Sequence, residues 1–282
     1  MIIDKQDRRP IVVGAGIAGL SAALRLAKHE PVRLITPRPL GHGAATGWAQ
    51  GGIAAAVGAD DAPDLHAIDT VAAGDGLTDP RAAARICDGA VGAVEWLDSL
   101  GVDFDRDPEG ALRLGLEAAH SRRRIVHAGG DATGAAILRA LAEAVRRSPH
   151  IEVELLALRR ILVDSRGAVA GVLAADACGR PVTLHAARVV LATGGVGGLF
   201  RHTTNPLGAW GQGLARYHGL ETVGVRDIGA AGHRHATSGI EAVCGEGDHR
   251  GRYRTEVDHV DARLAQAVGK CACQLGTGYA SV

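Results

Sequence analysis

The 282-residue chain balances 31 lysines and arginines against 31 aspartates and glutamates, so no global field draws it to nucleic acid or to an anionic membrane. Its 40 glycines show no collagen-like period, and with 46% apolar residues and few aromatics they read as a globular α/β chain with many tight turns. The five cysteines (Cys87, Cys178, Cys244, Cys271 and Cys273) form no Cys-x-x-Cys pair, which argues against a disulfide framework or structural zinc; without a signal-peptide profile or an apolar run of about 18 residues, a cytoplasmic protein with no membrane span is expected.

The strand signal Ile11–Val13 runs straight into Gly14, Gly16 and Gly19, and a helical pattern follows with Leu20, Ala23, Leu24 and Ala27 on one face. A β-rich stretch, Val32 to Ile35, closes a unit of about thirty residues, the size of a dinucleotide-binding βαβ. Gly14 serves the tight turn, Gly16 lets the backbone approach a pyrophosphate, and Gly19 lets the helix pack on the strand. The helix N-terminus then favours the anion. Where a carboxylate would hold a ribose hydroxyl, the sequence has Thr36-Pro37-Arg38. Arg38 suits a 2′-phosphate, an adenine ring or a phosphate, so this segment leaves FAD, NAD and NADP open.

Residues 43–58, GAATGWAQGGIAAAVG, form a second small-residue loop. In it Thr46, Gln50, Gly51 and Gly52 bring amides and short polar side chains together, as suits a flat ring or phosphate and equally a surface loop. Residues 80–100 place Ile86, Ala90, Ala93, Val94 and Leu97 on one helical face, with Gly101 as the stop.

The stretch 116–134, LEAAHSRRRIVHAGGDATG, concentrates Arg122, Arg123, Arg124, His120, His127 and Glu117. It lacks the wide basic face or interleaved aromatics of a nucleic-acid contact. Either it is a solvated charge run, or its arginine forks pair with carboxylates. In the second case Glu117 repels a plain dianion and makes sense beside a cation, such as an amino acid's ammonium.

Asp131-Ala132-Thr133 precedes a helix carrying Ile137, Leu138, Leu141 and Val145, which ends at Arg146-Arg147-Ser148-Pro149. Strands follow within IEVELLALRRILVDS, AVAGVLAAD and PVTLHAARVVLATGG, with turns at 165–167 and 178–180. They form a small meander that returns to the main sheet. Its last strand ends in Thr193-Gly194-Gly195, as strands lining a cofactor cleft do. Thr203–Pro206 serves either the cleft or a turn.

The motifs GAGIAGLSAALRLA, WAQGGIAAAVG, HSRRRIVHAGGDATG and VVLATGGVGGLFRHTTNP, in this order and spacing, resemble the L-aspartate oxidase family, within the flavoprotein class of succinate dehydrogenase and fumarate reductase. The resemblance runs from about residue 10 to about residue 215. It implies an α/β fold: a Rossmann-like FAD-binding domain with an inserted small β-meander. It implies non-covalent FAD, held at Gly14, Ala15, Gly16, Ile17, Ala18, Gly19 and Arg38. Further contacts fall at Ala45, Thr46, Gly47, Trp48, Ala49, Gln50, Gly51 and Gly52, and at Thr193 and Gly194. The implied reaction is oxidation of L-aspartate to iminoaspartate, feeding quinolinate and NAD biosynthesis, with oxygen or fumarate as electron acceptor. Glu117 would orient the substrate amino group, with His120 and Arg123 as its catalytic companions and no metal. Another flavoprotein of the class, or a non-catalytic FAD-binding fragment, is the alternative.

Three departures stand out. Ala118-Ala119 replace a glycine pair, and Gly211-Gln212-Gly213 lacks the family's acidic flavin contact. Beyond Leu214 the match dissolves, with no recognisable capping domain, so 1–214 is expected to be the FAD-binding domain. Residues 215–282 are an unassigned tail of the kind a frameshifted or truncated reading frame produces. In that tail His233-x-His235 and Cys271-x-Cys273 complete no metal set.

Overall fold

The computed structural model describes residues 3–5, 7–206 and 208–217. In chain order, β1 (Ile3–Lys5), β2 (Ile11–Val13), α1 (Ile17–Leu26) and β3 (Val32–Thr36) lead to a 3-10 turn at Ala45–Trp48 and to β4 (Ile53–Ala54). Next come α2 (Pro63–Ala73), α3 (Pro80–Ser99), β5 (Leu114–Gly115), β6 (Ile125–Val126) and α4 (Thr133–Arg147). Strands β7 (Ile151–Leu155), β8 (Ala157–Val163), β9 (Val169–Ala175), β10 (Pro181–His185) and β11 (Val189–Leu191) precede the short helix α5 (Gln212–Tyr217). The chain divides into two compact units, one joining Met1–Trp48 to the described residues from Ile137 onward, the other Ala49–Ala136.

The first unit is built on a parallel sheet of order β11-β2-β3-β7. Its two central strands, β2 and β3, are buried at every position and are mostly apolar, as strands covered on both faces are. Ile11, Val13 and Ile35 pack with Leu158, Val172, Ala174, Val182 and Leu184 of the second sheet. Side chains of opposite parity, Val12 and Leu34, are equally buried. Leu20 and Ala23 of α1, which runs beside β2 and β3, are buried with them. Each fully buried aliphatic side chain contributes about 1.5–3 kcal/mol.

The second sheet, order β1-β10-β9-β8, is the expected meander plus one strand from the start of the chain. Strand β1 joins parallel to β10, Ile3 opposite Val182. The meander turns form where expected, each fixed by one carboxylate. Asp164 accepts from the backbone N–H of Arg166 and Ala168, and Asp176 from those of Cys178 and Arg180.

One polar side chain breaks the pattern of β3. Arg33 is 1% exposed, and a buried guanidinium needs carboxylates around it. Its Nη2 lies 2.7 Å from Asp7 Oδ2 and its Nε 2.7 Å from Glu154 Oε1. Arg9 bridges Asp7 to Glu152. The hydrogen bond from Arg9, helped by the charge of Arg33 and opposed by burial, holds the Asp7 carboxyl down at about 2.

In the second unit α2 and α3 pack together. Helix α3 starts at Pro80 behind the cap Asp79, whose carboxylate accepts from the N–H groups of Arg81 and Ala82. It stops before Gly101, which takes φ +88°. Its buried stripe is Ala83, Cys87, Val94 and Leu97. Ile86, expected on that stripe, is 52% exposed. The stripe advances from 83 to 87 by one turn, and Ile86 sits about 100° around the helix from Cys87. Three two-residue strands form an antiparallel sheet of order β4-β6-β5. Among the described residues no helix is long and apolar enough to cross a membrane.

Replacing Arg33 by Met removes the buried cation that Asp7 and Glu154 face. We expect a loss near the low end of the about 3–5 kcal/mol typical of a broken buried pair, because Asp7 and Glu152 reach solvent. A lowered urea midpoint with unchanged slope is the readout.

Candidate functional site

In the first unit the turn after β2 is shaped by backbone contacts that exclude side chains. Ala192 N–H donates to Val13 O at 2.8 Å, and Gly14 N–H donates to Ile35 O at 2.9 Å. Gly14 takes φ +110°, and a Cβ there would stand 2.2 Å from Ala192 O. A Cβ on Gly19 would stand 1.8 Å from Gly14 O. Both positions therefore admit glycine alone, and α1 is drawn tightly onto the strand end. Gly16 caps α1 without a side-chain hydrogen bond, and the cap is supplied from elsewhere: Ile17 N–H donates to Thr46 Oγ1 at 3.0 Å. Ala15 is buried, whereas Ile17 and Ala18 form an exposed lip at the helix start.

Of the other expected positions, Thr193 meets the same turn. Gly14 approaches Thr193, and a Cβ on Gly213 would stand 1.9 Å from Thr193 Oγ1, so the ATGG strand end and the start of α5 meet. Gly194 is exposed at φ +81°. Ala45–Trp48 wind into the 3-10 turn, with Gly47 beside Leu138 and Trp48 62% exposed. Arg38 is exposed. Thr36 Oγ1 donates to its carbonyl at 3.0 Å, and Gly43 lies against its stem. Of the two uses read for Thr203–Pro206, the structure shows the turn, with Asn205 N–H donating to Thr203 Oγ1.

The second unit holds the other half of the expected positions. Ala49 O accepts from Gly134 N–H at 2.9 Å. Gly51 lies next to Glu117, a Cβ there standing 3.7 Å from Glu117 Oε1. Gly52, at φ +85°, is pressed against Ile125, Val126 O and the ring of His127. Gln50, in the same loop, is exposed. The AQGG loop, Glu117 and His127 thus form one neighbourhood.

The three arginines have three different environments. Arg124 is 0% exposed. Its Nε and Nη2 donate to the two oxygens of Asp61, each at 2.8 Å. Its Nη1 donates to Asp69 Oδ2 at 2.7 Å and lies 3.3 Å from His120 Nδ1. Arg122 is partly exposed and donates to Asp60 O and Ser121 O. Arg123 is exposed, and its guanidinium has no hydrogen-bond or ion-pair partner among the described residues. The Glu117 carboxylate, also exposed, likewise has none.

Asp61, Asp69 and His66 were not among the expected site residues. Ser121 donates both its N–H and its Oγ–H to Asp69 Oδ2 at 2.8 Å. His66, on α2 and 7% exposed, packs its ring 5.6 Å from that of His120. The signal available in the sequence was Arg124 itself, since an arginine opening the buried strand Ile125–Val126 requires a carboxylate. Nothing local names which one.

The electrostatics follow the geometry. Burial opposes ionisation of Asp69, but hydrogen bonds from Ser121 and Arg124 outweigh it and hold the carboxyl below its ordinary 3.8. Burial also disfavours the charge of Arg124, and Asp61 with Asp69 more than restores it. His66 is pushed below its ordinary 6.5 by burial first, then by Arg124 and His120.

With this geometry in place, comparisons with known proteins are specific. The sequence profile described as FAD binding domain matches residues 9–264. An L-aspartate oxidase from Mesorhizobium japonicum is 53% identical over 208 residues, covering 73% of this chain and 40% of that protein. One from Agrobacterium fabrum is 50% identical, covering 72% and 39%. Escherichia coli quinol fumarate reductase FrdA superposes with a TM-score of 0.72 at 28% identity, covering 79% of this chain and 39% of that one. The chain spans about two fifths of the length of the curated relatives it matches.

Two outcomes are expected. Gly19→Ala must displace the Gly14 backbone, so the variant binds FAD at least about tenfold more weakly in a fluorescence titration, a cost of about 1.4 kcal/mol. His66 refuses a proton that the unfolded chain accepts as pH falls below 6.5, so its contribution to stability is present above that pH and lost below it. His66→Gln flattens this part of the urea-midpoint profile between about pH 7.5 and 5.

Proposed function

We propose that this chain, which belongs to the FAD-binding domain family, is the flavin-binding part of an L-aspartate oxidase-type enzyme that oxidises L-aspartate to iminoaspartate. One observation carries the reading: Glu117 and Arg123, six residues apart in the same segment, are exposed charges of opposite sign without partners among the described residues. The neighbouring Arg124, in contrast, is engaged by Asp61 and Asp69. L-Aspartate presents two carboxylates and one ammonium. An arginine fork suits the first and a glutamate the second.

The residues of the first unit fit a dinucleotide. Glycine is sterically required at Gly14 and Gly19, the start of α1 is exposed, and Thr46 fixes the amide of Ile17. In this unit Gly14 to Gly19, Arg38, Ala45 to Trp48, Thr193 and Gly194 would hold FAD. When bound, FAD supplies the two-electron acceptor for an amine-to-imine oxidation. The chain's own residues then bind and orient: Glu117 receives the ammonium, while Arg123 and His120 hold carboxylate oxygens. Orientation of this kind accounts for much of a positioned reaction's rate. Oxygen or fumarate is the proposed final acceptor, and the imino product would feed quinolinate and NAD biosynthesis. A reducing cytoplasmic setting accords with Cys87 and Cys178, both free thiols.

The chain purified with FAD should bleach its flavin absorbance anaerobically with L-aspartate and not with succinate. Glu117→Gln should raise the half-bleaching aspartate concentration about tenfold or more, the weight of one charge-assisted hydrogen bond, and leave FAD affinity unchanged. FAD binding without aspartate-dependent bleaching would overturn the oxidase reading and leave a flavin-binding fragment.

A further inference from the structure

We propose that Arg124 is a positioning residue that fixes His120 as the tautomer protonated on Nε2, so that this ring presents an Nε2–H donor to its ligand. A guanidinium has five N–H donors and no acceptor. In Arg124 one N–H each from Nε and Nη2 goes to Asp61, and Nη1 gives one to Asp69. The second N–H of Nη1 faces His120 Nδ1 at 3.3 Å. Because Arg124 can only donate, Nδ1 must accept, and the single proton of the neutral ring lies on Nε2.

Independent contacts hold the ring where this bond requires it. Ser121, the next residue, is tied through its N–H and hydroxyl to the same Asp69 oxygen that receives Arg124 Nη1. Backbone bonds fix both faces of Arg124, its N–H donating to Gly115 O and its carbonyl accepting from Ala55 N–H. His66 packs against the His120 ring, tilted by 57°, and its own Nδ1 is buried with no hydrogen-bond partner among the described residues. The groups facing His120 are therefore Arg124, Asp69 beyond it, and His66. An anion at Nε2 is met by a hydrogen-bond donor whose direction is set from behind, as second-sphere partners set the tautomer of a working histidine.

The tautomer stands on this chain's geometry alone; naming the acceptor as an aspartate carboxylate rests on the oxidase reading. The two are separated by nitrogen-15 NMR of the full-length, FAD-supplemented chain at pH about 8, where an ordinary histidine is neutral. His120→Asn assigns the signal by its loss. We expect a bare, accepting Nδ1 and a protonated Nε2 before any substrate is added. A proton on Nδ1, or an averaged mixture of tautomers, overturns the proposal. Arg124→Lys, whose ammonium has three donors and no fork, should return His120 to a mixture. Asp69→Asn, a milder change that loosens Nη1 and Ser121, should do the same in part. A ring that keeps pure Nε2–H in both variants also overturns it. L-Aspartate added to the unaltered chain should shift the Nε2–H resonance. If that proton does not respond while the tautomer is as stated, the positioning role stands and the aspartate reading fails.

Discussion

A guanidinium sealed from water at Arg124 is the constraint around which the second unit is organised. Such a charge is tolerable only when its donors are met by carboxylates in good geometry. Here Asp61 meets two of them in a bidentate fork and Asp69 a third. These contacts join the end of the loop before α2, the helix itself and the strand β6 that follows the arginine. Apolar residues of similar volume often stabilise a fold as well as a buried ion pair does. The triad therefore accounts for where things are better than for how stable they are. It places Ser121 and His120, and it leaves Arg123 as the arginine of the run that faces outward without a partner.

The first unit solves its recognition problem by the opposite means. Around Gly14 nothing is achieved by side-chain charge. The strand end, the helix start and the carbonyl of Ala192 approach so closely that a single methyl group at Gly14 or Gly19 has no room. Backbone amides and a borrowed threonine hydroxyl do the capping. The first unit thus shapes its glycine turn with main chain, and the second arranges its arginine run with charged side chains.

What was legible in the sequence follows the same division. The βαβ unit, the long helix ending before Gly101 and the meander with its two turns announce themselves through apolar period and turn chemistry, which are local. Strands β4, β5 and β6 have two residues each, too short for any period to show. Strand β1 is polar at two of its three positions and is a strand only because β10 lies beside it. Ile86 lies off the buried stripe because Ala83 and Cys87 set that stripe at the start of α3, and small residues carry little apolar signal. The role of Arg124 was hidden for a different reason: its carboxylates lie 55 and 63 residues away. The resemblance to L-aspartate oxidases marked the arginine run as a site without saying which arginine serves the scaffold.

The order of the strands bears on when the cofactor cradle comes into being. Strand β2 has β3 on one side, available as soon as α1 has formed, and β11 on the other, which the ribosome delivers only after the whole of Ala49–Ala136 and the meander. The roof over Gly14 is the carbonyl that follows β11. Local βαβ structure precedes it, yet the turn takes its final form only when that distant strand docks. Long-range closure of this kind is slow and leaves an apolar edge open meanwhile. During synthesis the glycine motif is made long before the carbonyl that closes over it.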